Sequence, residues 1–267
     1  MGWKIFKRTV LAILCVIIAG SALLFFFGGV NFGRSMYDTA FIETDESSLK
    51  TFYLKHDIEV RAFNETDDMK MSVTGNGTNI VKEEGKVVSE TKTKIDANVI
   101  KLKVNDKLQY LETSSIVDGD IIQERNSYYL DGKLYTYTKD GNSELVVDNK
   151  SVQTVDETEV VVAEMGNGAI FKEINDARLY GVKISVGYNA SYTLYKLNYQ
   201  IGEENDYVKV ESTYVYGRNG KLLGVKTVSN EVYVDEYMEY DFSMVMVLER
   251  YSGEIEFPQD LNTYSAQ

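Results

Sequence analysis

Histidine occurs once in the 267 residues, at His56, and cysteine once, at Cys15. A Ser-His-Asp or Cys-His device needs an imidazole beside its nucleophile, so any such chemistry would fall to His56. No nucleophile motif lies near it. It stands between Lys55 and Asp57 at the head of "HDIEVRAF", where it reads as an exposed residue at a strand entry. Cys15 sits inside an apolar run, out of reach of any zinc site built from His and Cys. The phosphate-cradling pattern G-x-x-x-x-G-K-[ST] is absent, and "GNG" and "NGTNI" read as strand-turn glycines. Carboxylates are plentiful, so hydrolysis by a pair of acids is not excluded by counting. Yet Asp118, Asp120 and Glu124, like Asp156, Glu157 and Glu159, fall in polar turns, where a solvated acid is the ordinary outcome. "DGD" at Asp118 to Asp120 raises calcium, without the twelve-residue loop that holds it elsewhere. This inventory predicts a protein that is not an enzyme, with no cofactor and no metal.

The elements that carry these residues are mostly strands. "EVYVDEYMEYDFSMVMVLER", residues 231 to 250, alternates strictly. Val232, Val234, Met238, Tyr240, Phe242, Met244, Met246 and Leu248 fall in one phase, and acids and tyrosines in the other. Successive side chains of an extended chain point to opposite faces, so this predicts a long ribbon with one oily side. A strand that long should curve or break, with Glu236 the expected bend.

"HDIEVRAF", with Ile58, Val60 and Ala62 in phase, and "MKMSVTG" give further short strands, as do "GKVVSETKTKI", "NVIKLKV", "KLQYLE" and "DIIQER". Strand patterns resume after a weakly patterned middle, in "GVKISVG", "SYTLYKLNYQI" and "YVKVESTYVY". Asp131-Gly132 and Asn219-Gly220 sit between alternating runs, and these pairs tolerate the positive φ of two-residue hairpin turns. A brief helix from Asp45 through Leu49, Phe52 and Tyr53, and another within "EMGNGAIFKEINDARLYG", complete the expected elements. The fold class is mainly β, an antiparallel sheet of roughly ten strands with one or two helices.

The first 33 residues have a different character. Lys4, Lys7 and Arg8 precede a stretch free of charge from Thr9 to Gly33. The apolar run from Val10 to Val30 is about the length a bilayer core asks of a helix. Bases before it and acids after it place the N-terminus in the cytoplasm. A single-pass cell-membrane protein follows, with residues 1–33 as anchor, 34–44 as tether and 45–267 as an extracytoplasmic domain. A cleaved signal is the rival, with small residues at Ala19 to Ala22, although Leu23 to Phe27 carry the apolar run past that point. Leu14 stands where a lipobox wants a small residue before Cys15, so the cysteine reads as apolar filler.

The formal charge is -13. The anchor takes three of the 28 bases and none of the 41 acids, so the outer part is more acidic still. Such a surface argues against a nucleic-acid partner and against adsorption to anionic headgroups.

The membrane signal, the short helix before the strands, the hairpin "YYLDGKLYTYTKDG" and the late alternating strands form a recognisable order. The chain then closes on "SGEIEFPQDL", with its I-x-x-P ending. Together they resemble the LolA-like superfamily of lipoprotein carriers and its Gram-positive relatives, over about residues 45 to 260. The resemblance implies a strongly curved antiparallel sheet, an open half-barrel, whose concave face takes acyl chains of lipids or lipoproteins. Met238, Tyr240, Phe242, Met244, Met246 and Leu248 would then line a lipid-binding face, methionine suiting a surface that accepts irregular chains. The same stripe equally fits an ordinary packed core. In that case the domain is an envelope interaction or sensor module without a small-molecule ligand.

Overall fold

The structure, a computed structural model, describes residues 41–42, 52, 55–56, 58–63, 65, 68–142, 144–160, 179–188 and 191–266. The membrane anchor, the start of the first expected helix and nearly all of the second lie outside the described residues.

One sheet organises the rest. Its long strands fall into two meanders. The first runs through β2 (Met69–Glu83), β3 (Lys86–Val104), β4 (Lys107–Asp118), β5 (Ile121–Leu130), β6 (Lys133–Gly141) and β7 (Val146–Thr154). The second runs through β8 (Leu179–Tyr188), β9 (Tyr192–Glu203), β10 (Asp206–Gly217), β11 (Leu222–Val234) and β12 (Met238–Arg250). Two-residue strands, β1 (Phe41–Ile42) and β13 (Ser265–Ala266), close the edges, giving the order β1-β8-β9-β10-β11-β12-β2-β3-β4-β5-β6-β7-β13. The meanders meet where β12 pairs antiparallel with β2. The sole parallel contact among the described strands is β13 on β7. Phe41 and Ile42, placed in the tether by sequence, pair instead with Ser185 and Ile184 of β8.

The 231–250 ribbon breaks where expected: β11 ends at Val234 and β12 begins at Met238, with Glu236 in the bend between them. Asp235 turns the chain: its Oδ1 accepts from the backbone N–H of Tyr237 and of Met238, at 2.8 and 2.6 Å. Opposed residues share a face in an antiparallel pair. Tyr233 faces Tyr240, and Val232 faces Asp241, so the oily phase changes sides at the turn. Val232 and Val234 therefore lie on the opposite side of the sheet from Met238 to Leu248.

The strands between Met69 and Val104 are longer than their sequence patterns suggest. "GKVVSETKTKI" and "NVIKLKV" are one strand of 19 residues. Gly75 and Gly77 lie inside β2, not at a turn. Asp131 (φ 49°) and Gly132 (φ 76°) adopt the predicted two-residue turn. At the second hairpin only Gly220 has positive φ, and Gly220 N–H donates to Gly217 O at 2.9 Å. That is a three-residue loop ending in a left-handed glycine.

The described residues of "HDIEVRAF" are helical, not extended. Residues 52, 55–56, 58–63 and 65 all have helical backbone. Phe52, His56, Val60 and Phe63 recur every three or four residues, the spacing of one helix face. His56, Val60 and Phe63 are buried, whereas Ile58 is 64% exposed. The helical face packs on one side of the sheet against Met69, Met71, Val99, Tyr110, Tyr129, Tyr214, Val225 and Leu248. At roughly 1.5–3 kcal/mol per fully buried large side chain, this contact is a major source of stability. A second cluster, Ile184, Leu197, Tyr199 and Val210, continues on the same side toward β8 and also receives Phe52.

On the reverse side the C-terminal segment is strapped to the first meander. Lys150 donates to Asp260 at 2.5 Å and lies over the rings of Tyr137 and Tyr264. Tyr264 meets Tyr135 edge to face.

Candidate functional site

All six residues of the predicted lipid-binding stripe lie on β12 and share the helix-bearing side of the sheet. Cross-strand register places them in order. Leu248 sits between Val225 and Met71, Met246 between Thr227 and Val73, and Met244 between Ser229 and Gly75. Phe242 sits between Glu231 and Gly77, and Tyr240 between Tyr233 and Asn79. Met238 faces Val81.

The stripe divides along its length. Leu248 is fully buried in the main core, and Met246 packs against that core. Met244, Phe242, Tyr240 and Met238 are half-buried, and among the described residues neither core cluster takes them in. The Phe242 ring lies on β2 where two side chains are missing. A Cβ on Gly75 would come within 2.7 Å of Phe242 Cζ, and one on Gly77 within 2.5 Å of Phe242 Cδ2. Tyr240 stacks on Phe242 with centroids 6.3 Å apart and planes 7° from parallel. Burial raises the Tyr240 phenol pKa, and the carboxylates of Glu231 and Asp118 push it further the same way. The side-chain oxygen of Asn79, opposite Tyr240, is buried without a hydrogen-bond partner.

At the other end of this face is a cluster that sequence placed wrongly. His56, expected exposed at a strand entry, is 1% exposed. The helix carries it into a ring of aromatics: Phe52 at 4.1 Å between centroids, Tyr214 at 4.6 Å and nearly parallel, Tyr195 at 5.1 Å and Tyr216 at 5.5 Å. Its Nδ1 shares a 2.5 Å hydrogen bond with the Tyr216 hydroxyl. Desolvation, assisted by the adjacent Lys55 charge, lowers the imidazole pKa to about 4. Desolvation, with Glu59 adding to it, raises that of Tyr216. Both groups are therefore neutral at pH 7, and the pair is a structural hydrogen bond in an apolar setting. Helical spacing from Phe52 to Phe63 was the signal that could have found it.

Four of the six acids singled out by sequence, Asp118, Glu124, Asp156 and Glu159, have structural partners. Asp118 accepts from Thr93 Oγ1 at 2.6 Å, and Glu124 pairs with Lys139 at 3.2 Å. Asp156 caps a short 3-10 turn by accepting from Thr158 N–H and Oγ1. Among the described residues, no group of three or more His, Cys, Asp or Glu side chains could hold a metal ion.

Two hollows open on the reverse side. One, of about 590 Å³, is lined by Tyr180, Asn198, Gln200, Lys209, Glu211 and Asn230 among others. The other, of about 500 Å³, lies among Asn76, Thr78, Lys92, Lys94 and Asp241. Neither is lined by the six stripe residues.

No family model matches this sequence, and no curated protein matches it. Among solved structures the chain is similar to the translocator domain of autotransporter NalP from Neisseria meningitidis. The identity is 7%, covering 77% of this chain and 98% of that one, with a TM-score of 0.23. A score that low carries no argument about fold or function.

Proposed function

We propose that the chain is a non-catalytic, membrane-anchored extracytoplasmic domain that receives an acyl chain of a lipid or lipoprotein on the helix-bearing side of its sheet. The observation that carries this reading is the divided stripe. Near the helix the apolar row is core, while Met244, Phe242, Tyr240 and Met238 remain half-buried outside both clusters. Flexible thioethers beside an aromatic pair laid on glycines make a smooth, adaptable apolar floor. The LolA-like resemblance implies an open half-barrel, whose concave face would be this side of the sheet. The apolar run at residues 10–30 would anchor the domain to the cell membrane, with its N-terminus in the cytoplasm.

The test uses the full chain in bilayers containing a phospholipid with a diazirine near the acyl terminus. After photolysis, adducts are mapped by peptide mass spectrometry. Labelling of the β12 and β2 peptides, abolished by Phe242→Asp, is the expected result. Labelling confined to residues 1–33 would overturn the reading.

A further inference from the structure

We infer that the reverse side of the second meander holds a site for a neutral sugar chain containing N-acetylhexosamine units. This reading is independent of the acyl-chain proposal, because the groups concerned point away from the helix-bearing side. Two adjacent cross-strand rows build the site. One runs Tyr180, Gln200, Lys209, Asn230, and the next Lys183, Asn198, Glu211, Val228. Between Tyr180 and Lys183 the register slips, and Gly181 takes φ +59° with open space around it. Tyr180 and Gly181, at that irregularity, line the 590 Å³ hollow, a volume within the range of small-ligand sites.

The chemistry of the lining selects the ligand. Three side-chain amides, of Asn198, Gln200 and Asn230, line the hollow, and an amide both donates and accepts, matching vicinal hydroxyls or the N–H and C=O of an acetamido group. Gln200 Nε2 is already committed to Gly202 O at 3.1 Å, which leaves its oxygen as an acceptor. Glu211 accepts from hydroxyls, and the Val228 side chain offers apolar contact to a methyl. Among the described residues, the side chains of Asn198, Glu211 and Asn230 make no hydrogen bond or ion pair within the protein. Lys209 is held over the Tyr207 ring at 4.7 Å, which keeps a cation at the rim rather than across the floor. Lys183, at the end of the second row, lies outside the lining of the hollow; among the lining residues Lys209 and Glu211 balance in charge, and this favours a neutral ligand over an anionic one.

The experiment is saturation-transfer-difference NMR on the full chain in nanodiscs, with chitotetraose and maltotetraose as probes. Chitotetraose should show transfer strongest at its acetamido methyl protons, with millimolar or tighter affinity. Glu211→Ala and Asn230→Ala should each weaken it about tenfold, the usual effect of losing one hydrogen bond to a charged or fully engaged polar group. Both positions are exposed, so these variants should fold. Glu249→Ala, on the same side of β12 but outside the hollow, should leave binding unchanged. Absence of transfer from chitotetraose to the wild-type chain would overturn the proposal. Equal transfer from maltotetraose, or equal weakening by Glu249→Ala, would do so as well.

Discussion

The two ends of the helix-bearing side use similar residues for different ends. Where the helix arrives, Val60, Phe63, Met71 and Leu248 are excluded from water, and even a histidine is sealed in among aromatic rings. Toward the β11–β12 turn, the same row continues through Met244, Phe242 and Tyr240 and is only half covered. The difference does not come from the apolar pattern, which is continuous along β12. It comes from what lies opposite: a helix at one end, and at the other a strand with glycine at positions 75 and 77. An apolar stripe therefore becomes core or surface according to its partner.

Substitutions should break this comparison in graded steps. The largest effect belongs to the helix end. Phe63→Ala or Leu248→Ala should cost about 3–5 kcal/mol in urea unfolding, because each empties a fully packed site. His56 comes next. Its folded pKa is about 4 against 6.5 unfolded, so between those values the unfolded chain binds more protons. Stability should then be greatest above pH 6.5, fall as pH is lowered, and level off below about pH 4. The total loss is about 3 kcal/mol. His56→Phe should flatten that dependence, and an unchanged slope would assign it to other groups.

Smaller effects sharpen the glycine end. Gly75→Ala should cost about 1–3 kcal/mol by overpacking against Phe242. Most of that penalty should vanish in a Phe242→Ala background, read from a double-mutant cycle. Met244→Gln should be smallest, below about 1 kcal/mol, since its site is only partly removed from water. A cost there comparable to Leu248→Ala would show that the stripe is core from end to end.

Much of the sheet was legible from sequence because strands advertise themselves by alternation and turns by glycine. Asp131-Gly132 behaved as its residue types demand. Asn219-Gly220 did not, because Asn219 keeps an ordinary φ and Gly220 alone takes the left-handed region, at the end of a three-residue loop. "HDIEVRAF" misled for a physical reason. Ile58, Val60 and Ala62 fit a period of two, while His56, Val60 and Phe63 fit a helix, and eight residues cannot separate the periods. What lay on the other side decided it, namely a sheet face already carrying Met69, Met71 and Leu248. The stripe on β12 was readable as a stripe. Its division was not, since Gly75 and Gly77 lie some 165 residues earlier in the chain and look like turn formers in isolation.

The β12–β2 pairing has a consequence for how the molecule comes into being. Lys82 and Glu239, joined across that seam, are 157 residues apart in sequence. A strand at the centre of the sheet is thus the first of the described long strands to be synthesised, and its neighbour the last of them. Until β12 emerges, β2 presents one unpaired edge and its share of the apolar face to whatever surrounds the nascent chain. Such distant pairing slows folding, because chain entropy is lost before contacts repay it. The middle of the sheet is zipped shut only once β12 has been made, and that waiting period is the time of greatest exposure to aggregation or proteolysis.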